Sequence, residues 1–244
     1  MSLTHTQGKH IHFPATPDKF EFDAEVAAIF DSMALRSIPM YAEVHRMHVE
    51  MFADKFVKGA VVADIGASTG NFFTQIELQI GKSLKDAGIR GFARDSSVHM
   101  LNELHERHPS VELLVGDLSE AHDLPQPADV IACLYVLQFM RGTTREKGLQ
   151  WLRRNLAPGG ILILGQKERE PWRYANRFSE TYYAMRRRNG YTQAEIDAKT
   201  AALKNSMWPV SPEEMAYELN QVGLTYTETT RWAQFTSGVS MIRD

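Results

Sequence analysis

A run of acidic and small residues, Asp64-Ile65-Gly66-Ala67-Ser68-Thr69-Gly70, directly follows an apolar segment and carries recognisable chemistry. As Asp-x-Gly-x-x-x-Gly it predicts a tight strand-to-helix turn that cradles a nucleotide-like cofactor. As Gly-x-Ser-x-Gly it matches a nucleophile elbow, in which Ser68 would attack an acyl group. The rest of the sequence must distinguish a cofactor-binding turn from a hydrolase nucleophile elbow.

The hydrolase alternative needs a late histidine as general base, after the serine and an acid. The last histidine here is His122, and the other three that follow Ser68, at 99, 105 and 108, share one short predicted helix. A dinucleotide fingerprint, Gly-x-Gly-x-x-Gly, also fails because position 68 is Ser. The sequence therefore favours the cofactor turn, with Ser68 as a small turn residue.

Side chains at the ends of the next predicted strands fit the same cofactor. Asp95 comes just past the second strand, where a carboxylate can accept two hydrogen bonds from a ribose diol. Asp117 follows the third strand and can accept from an exocyclic amine such as that of adenine, while Leu134 and Tyr135 end the fourth. Each aspartate alone is equally well explained as a helix cap. Together with the turn, these positions predict one cofactor site.

The elements that position this site alternate between short apolar runs and periodic helical stretches, which predicts a parallel sheet with helices on both faces. Two helices come first, at Glu21–Leu35 and before Lys58, and others follow Gly70, Ser97 and Thr144. The predicted strands are Val61–Ile65, Ile89–Ala93, Val111–Val115, Asp129–Leu134 and Ile161–Leu164, with Pro158-Gly159-Gly160 as the turn into the last.

The last third of the chain predicts a helical region followed by a β-hairpin, without the alternation of strands and helices. A polar and aromatic helical region, Trp172 to Met207, is interrupted at Asn189-Gly190. A final helix begins at Ser211-Pro212, and two β-rich runs, Tyr226–Phe235 and Gly238–Ile242, predict a hairpin turning at 236–237. We therefore expect an N-terminal arm with helices at 1–58 and an α/β domain at 59–244, with a helical lid inserted at about 170–210.

Composition excludes several classes of function. The net charge of -3 gives no electrostatic reason to expect nucleic acid, and no apolar run approaches a membrane span. The single cysteine, Cys133, lies in an apolar run, which predicts neither a disulfide framework nor a thiolate metal site. His105 and His108 are three apart on a helix without a third ligand, so we expect a solvated helix face and no metal. A cytoplasmic location is the natural expectation.

These features resemble the class I S-adenosylmethionine-dependent methyltransferases, and more closely the carboxy-S-adenosylmethionine synthase group. The resemblance rests on Phe22-Asp23, Arg36-Ser37-Ile38-Pro39 with Tyr41, the 64–68 turn, Leu137-Gln138-Phe139, Pro158-Gly159-Gly160 and Asn189-Gly190-Tyr191. It implies a Rossmann-like sandwich with a mainly parallel seven-stranded sheet, an antiparallel C-terminal hairpin and a homodimer. It also implies S-adenosylmethionine or S-adenosylhomocysteine as ligand, contacted by Tyr41, Asp64, Gly66, Ala67, Ser68, Gly70, Asp95, Ser96, Asp117, Leu118 and Leu134.

Two residues depart from the group's pattern. The group carries Asn at the position of Leu134 and Arg at the position of Thr200. That Arg resembles a carboxylate clamp, since a guanidinium can fork onto a carboxylate. Thr200 cannot do so, and helix geometry predicts that Lys199 points about 100° away from it. An arginine at 173, 177 or 186–188 is a candidate substitute. The run at 186–188 is otherwise expected to mark a solvated helix end, where cations suit the helix dipole.

The sequence thus leads first to methyl transfer from S-adenosylmethionine to a small molecule, without naming a catalytic residue. The alternative is carboxy-S-adenosylmethionine synthesis from S-adenosylmethionine and prephenate, which serves modification of the tRNA wobble uridine. A further alternative is a non-catalytic cofactor-binding protein. Candidate pocket-lining aromatics are Tyr41, Tyr135, Tyr182, Tyr183, Tyr191 and Trp208.

Overall fold

Seven strands form one sheet in the computed structural model, which describes residues 22–170 and 173–243. The strands are β1 (Val61–Ile65), β2 (Arg90–Asp95), β3 (Glu112–Val115), β4 (Ala128–Leu134), β5 (Leu156–Lys167), β6 (Thr227–Trp232) and β7 (Phe235–Ser240). Their order is β3-β2-β1-β4-β5-β7-β6. β7 pairs antiparallel with β5 and β6, and the other neighbours are parallel. The predicted sandwich with an antiparallel C-terminal hairpin is confirmed.

Helices flank both faces of this sheet. They are α1 (Ala24–Ser37), α2 (Tyr41–Met51), α3 (Asn71–Ile80), α4 (Leu84–Ala87), α5 (Val98–Arg107), α6 (Gly142–Asn155), α7 (Ala175–Arg188), α8 (Gln193–Leu203) and α9 (Pro212–Gln221). The first five contribute to an apolar cluster on one face, and α6 and α9 contribute to a second cluster. Helices α7 and α8 fall in the region predicted as a lid.

The two clusters divide the strands residue by residue. Val62 belongs to the cluster with α2 and α3, whereas Val61 and Ala63 belong to the cluster with α6. Successive side chains of a strand point to opposite faces, so a strand covered by helices on both sides must be apolar at nearly every position. This explains why β1 and β4 are short continuous apolar runs in the sequence.

Several predicted boundaries differ from the structure. α1 begins at Ala24, because the Asp23 carboxylate caps it by accepting from the Val26 amide at 2.9 Å. Glu21 and Trp172, the predicted starts of the first helix and the lid, lie outside the described residues. β5 already begins at Leu156, so the predicted turn at 158–160 lies inside the strand, where its pairing with β4 changes register.

The predicted turn of the terminal hairpin was also wrong. Trp232 pairs with Phe235, so the turn is Ala233-Gln234 and residues 236–237 belong to β7. Ala233 adopts a left-handed φ of 48°, a conformation that the sequence pattern for turns does not associate with alanine. The small polar residues at 236–237 are instead buried partners of neighbouring strands.

Gly66 provides a test of this packing. It has a φ of +66°, and a Cβ there would lie 2.2 Å from Cγ2 of Val136. Gly66→Ala should therefore combine left-handed strain with overpacking and lower the free energy of unfolding by about 2 to 5 kcal/mol. Gly81→Ala is the matched control, since Gly81 has a φ of +70° and a Cβ there would meet no atom within 4 Å; it should cost about 1 to 2 kcal/mol. Equal losses in chemical denaturation would contradict the packing argument.

Candidate cofactor and substrate site

A cavity of about 730 Å³ opens where the strands β1, β2 and β4 end. This volume lies within the range of about 300 to 1,000 Å³ that is typical of small-molecule sites. Residues from α1, α2, α7 and α8 complete its wall. The cavity therefore lies where an open α/β sheet binds ligands, at the carboxyl ends of its strands.

The turn after β1 is held in place by β2. The carbonyl of Arg94 accepts from the amides of Gly66 and Ala67 at 2.7 and 3.0 Å. The next amide, that of Ser68, donates to the Asp95 carboxylate at 2.9 Å. Ser68 itself has a φ of +50° and directs its hydroxyl to the Met100 sulfur at 3.4 Å. Its hydroxyl is thus engaged in packing, as expected for a turn residue and not for a nucleophile.

Asp95 is both a structural residue and a cavity residue. One carboxylate oxygen accepts from the Ser68 amide and the other accepts from the Ser97 amide, each at 2.9 Å. Burial raises the pKa of this carboxyl, while the hydrogen bonds from Ser97 and Ser68 lower it. Because each oxygen keeps a further lone pair and Asp95 lines the cavity, the carboxylate can still receive a diol.

The remaining predicted cofactor contacts lie mainly around the same space. Cavity-lining residues include Tyr41, Asp64, Gly66, Ala67, Ser68, Asp95, Ser96, Asp117, Leu118 and Leu134. Gly70 does not line it; a Cβ at Gly70 would meet the His108 ring at 2.8 Å, so this glycine serves the packing of α3 on α5. Asp117 accepts from the Ser119 amide at 2.7 Å, which shows that its capping role and its place at the cavity coexist.

The end of the cavity near β1 is acidic and buried. Asp64 is 5% exposed, and its pKa is raised well above the usual value by burial and then by the charge of Asp95. Tyr41 is also buried, and burial followed by the charge of Asp64 raises its pKa. Two carboxylates confined in a low-dielectric space are stabilised by a cationic ligand. S-adenosylmethionine, with its sulfonium and ammonium groups, fits this requirement.

The end of the cavity near α7 and α8 carries the opposite charge. Arg186 and Lys199 line it and are only 2% and 7% exposed. Lys167 lies in the same wall, with its Nζ 5.2 Å from the centroid of the Tyr182 ring. Burial, followed by the charges of Arg186 and Arg36, lowers the pKa of Lys199 to about 7. The cavity thus combines a negative end with a positive end.

This cationic end corrects two predictions. Lys199 and Thr200 both line the cavity, so Lys199 does not point away from the site as helix geometry alone predicted. Arg186 is buried and lines the cavity, and it is not part of a solvated helix end. The cavity is wide enough to receive two successive side chains of α8.

The predicted aromatic lining was partly correct. Tyr41, Tyr135, Tyr182 and Tyr183 line the cavity. Among the described residues, Tyr191 and Trp208 are not part of that lining, and Trp208 instead packs with its ring centroid 4.6 Å from the guanidinium carbon of Arg141.

His45 was missed by sequence reasoning. It lines the cavity and its Nδ1 donates to the Tyr41 carbonyl at 2.8 Å. Burial lowers its pKa to about 4, so the ring is neutral at pH 7 and leaves Nε2 as an acceptor. Its position on the apolar face of α2, one turn after Tyr41, was the only available signal.

His108 was expected on a solvated helix face, and this was wrong. It is 4% exposed and contacts Glu77 Oε2 at 3.0 Å and Thr74 Oγ1 at 3.0 Å. Across residues 22–170 and 173–243, no group of three or more His, Cys, Asp or Glu side chains is arranged to hold a metal ion. In the same ranges no helix is long and apolar enough to cross a membrane.

Comparison with known proteins identifies the family. Residues 62–160 match the methyltransferase domain profile. A carboxy-S-adenosyl-L-methionine synthase of Trichodesmium erythraeum is 34% identical over 222 residues, covering 87% of this chain and 84% of that protein. The enzyme of the same name from Wolinella succinogenes is 34% identical over 230 residues, covering 91% of this chain and 93% of that protein. The chain belongs to the carboxy-S-adenosyl-L-methionine synthase family.

Solved structures agree on the fold of this synthase-family protein. An S-adenosylmethionine-dependent methyltransferase from Clostridium acetobutylicum superposes with a TM-score of 0.62 over 90% of this chain and 98% of that one, at 12% identity. Such low identity establishes the fold alone. Family membership, the methyltransferase domain and the fold together make this chain an S-adenosylmethionine-dependent transferase.

Asp64 gives a prediction about the pH dependence of cofactor binding. A bound cation favours ionised Asp64, so S-adenosylmethionine affinity should rise as pH increases through the raised pKa of that carboxyl. Asp64→Asn should weaken binding about tenfold at pH 7, or about 1.4 kcal/mol, and should reduce the pH dependence. Isothermal titration calorimetry at several pH values measures both effects. Asp86→Asn, on the exposed surface of α4, is the control and should change neither; an Asp64→Asn protein that binds like wild type at every pH would refute the electrostatic argument.

Proposed function

We propose that this protein makes carboxy-S-adenosylmethionine from S-adenosylmethionine and a carboxylate donor of the prephenate type. The observation that carries the proposal is one cavity with buried carboxylates at one end and buried cations at the other. The near full-length similarity to relatives named carboxy-S-adenosyl-L-methionine synthase supports it. A cationic cofactor and an anionic donor complement these two ends.

In this proposal the acidic end holds S-adenosylmethionine. Asp95 and Ser96 take the ribose, Asp117 and Leu118 take the adenine, and Asp64 and Tyr41 face the methionine part. The backbone of 66–68 approaches the cofactor closely because its amides are already fixed on β2. Gly70 supports this turn from outside, and Leu134 forms a wall.

The protein's own contribution to the chemistry is alignment and exclusion of water. The sulfonium activates the carbon next to it when the cofactor is bound. Aromatic rings from Tyr135, directly after β4, and Tyr182, on α7, wall the space between the two ends of the cavity. Burial raises the pKa of both phenols, to about 12 for Tyr182. They therefore remain protonated and can orient substrates as hydrogen-bond donors.

Methyl transfer to a small acceptor is the second candidate, and Leu134 and Thr200 favour it. Both residues line the cavity, and neither can bind a carboxylate with the charge or geometry of an arginine. A pocket that binds the cofactor without transfer is the third candidate. The three differ in the product that forms.

Product analysis distinguishes these candidates. Incubation with S-adenosylmethionine and prephenate, followed by mass spectrometry, should show a cofactor product heavier by one carboxyl group in place of one hydrogen. Unchanged S-adenosylmethionine at all protein concentrations would contradict the proposal. Methylated products from a screen of small acceptors would instead establish the second candidate, and cofactor binding without any product would establish the third.

Binding of the cofactor has its own test. Asp95→Ala removes two hydrogen bonds to a charged group, each worth about 1.5 to 3 kcal/mol, so S-adenosylhomocysteine affinity should fall at least a hundredfold. Asp129→Ala is the matched control, because Asp129 also accepts from a backbone amide, that of Val61 at 2.8 Å, but lies away from the cavity. The proposed cofactor site is wrong if both variants bind alike in calorimetry.

Three broader features belong to the same proposal. We infer a cytoplasmic homodimer, from the family resemblance and the single buried cysteine. We also infer that 59–244 is the cofactor-binding unit, that 1–58 is an N-terminal arm with helices, and that the region at about 170–210 acts as its lid. Light scattering of the purified protein measures the oligomeric state; a monomer at micromolar concentration would remove the dimer from the proposal.

A further inference from the structure

Two donors of a buried arginine in the cavity wall formed by α7 and α8 have no protein partner. Within the described part of the chain, Nε and Nη2 of Arg186 have no hydrogen-bond acceptor, although the side chain is 2% exposed and lines the cavity. Burying a charged donor without a partner is strongly destabilising. The arrangement is understandable if a ligand supplies the missing acceptors.

The geometry of these two donors selects the type of acceptor. Nε and Nη2 lie side by side on one edge of the planar guanidinium group, and this edge forms paired hydrogen bonds with the two oxygens of a carboxylate. The plane itself is held by aromatic rings. The guanidinium carbon lies 4.5 Å from the centroid of Tyr191 and 5.8 Å from that of Tyr182.

Lys199 adds a second buried cation to the same wall. Its Nζ donates to Ser37 Oγ at 3.2 Å, and Ser37 Oγ is also 2.9 Å from the hydroxyl of Tyr191. Arg186 on α7 and Arg36 on α1 both contribute to lowering the pKa of Lys199, so positive charges act on it from two neighbouring helices. Two buried like charges repel each other, and an anion that binds between them attracts both.

The acidic residues nearby are engaged elsewhere. Asp197, on α8, accepts from Gln193 Nε2 at 2.8 Å and is exposed. Glu170 accepts from Ser179 Oγ at 2.8 Å and acts on Lys167, raising its pKa against the effect of burial. Neither carboxylate accepts from Nε or Nη2 of Arg186.

We propose that Arg186 and Lys199 form the subsite for a carboxylate of the second substrate, in place of an arginine at position 200. Arg186 forks onto the carboxylate, and Lys199 donates a further hydrogen bond from a position fixed by Ser37. The identity of the donor as prephenate rests on the proposed function, whereas the carboxylate subsite rests on these contacts.

Binding of prephenate to the protein saturated with S-adenosylhomocysteine tests the subsite without turnover. Arg186→Met and Lys199→Met should each weaken prephenate binding at least tenfold, while S-adenosylhomocysteine affinity stays within twofold of wild type. Arg187→Met is the control on the same helix, because Arg187 is exposed and hydrogen-bonds to Gln193; it should leave both affinities unchanged. Wild-type prephenate affinity in both the Arg186 and the Lys199 variants would overturn the proposal.

Additional variants and ligands in the same titrations test the subsite separately from the proposed reaction. Arg186→Lys keeps the charge and loses the fork, so its prephenate affinity should be intermediate, and it replaces Arg186→Met if that protein does not fold. If wild type does not bind prephenate, the same titrations use malonate and phenylpyruvate. Binding of either that Arg186→Lys weakens supports the subsite and rejects prephenate, and failure of all three carboxylates to bind rejects the subsite. Tighter binding of inorganic phosphate than of every carboxylate also rejects it.

The pH dependence gives a readout that a merely structural role would not change. Lys199 has a pKa lowered to about 7, to which the charges of Arg186 and Arg36 contribute. The charged residues Lys167, Asp197 and Lys204 line the same cavity. An anion binds more tightly to protonated Lys199, so prephenate affinity should fall as pH rises above about 7. This fall should be absent in Lys199→Met. An identical pH profile in that variant and in wild type would exclude contact between Lys199 and the anion.

Discussion

The contact between the turn after β1 and the end of β2 determines the geometry of the whole site. Three successive amides, those of residues 66–68, donate to the carbonyl of Arg94 and the carboxylate of Asp95. Parallel pairing of β1 with β2 brings these groups together, with Ile65 opposite Arg94. The left-handed φ of Ser68 is the conformational cost of this arrangement, whereas Gly66 adopts its positive φ without strain. In return the turn is rigid before any ligand arrives, which reduces the entropy lost on binding.

Separation of charge within one cavity is the second organising feature. The carboxylates come from the ends of β1 and β2, whereas the cations come from β5, α7 and α8. Each set is destabilised by burial, as the raised pKa of Asp64 and the lowered pKa of Lys199 show. Such electrostatic strain is common at functional sites, because substrates of complementary charge relieve it. Attraction between the two substrates themselves also gains strength where water is excluded.

Much of the fold could be predicted from local patterns. Continuous apolar runs located β1, β4 and the buried part of β5, since strands covered on both faces cannot alternate with polar residues. The capping signal at Ser211 located the start of the last helix, where its side chain accepts from the Glu214 amide at 3.2 Å. The terminal turn was misplaced because Ala233 adopts a left-handed conformation that cross-strand pairing imposes and that no local propensity indicates. The same limit applies to Pro158-Gly159-Gly160, which forms an irregular part of β5.

The sequence by itself determined the class of site, because Asp64, Asp95 and Asp117 each lie at or just after the end of a strand, and parallel strands bring their carboxyl ends to one edge. Only the tertiary structure decided the identity of the opposite wall. Arg186 and Lys199 are 13 positions apart on two helices separated by Asn189-Gly190, so their convergence depends on how α7 and α8 pack at the cavity. Helical periodicity describes which face a side chain occupies, but it does not say what that face meets. Burial of Arg186, and with it the positive charge where α7 and α8 meet the cavity, is a property of the packed chain.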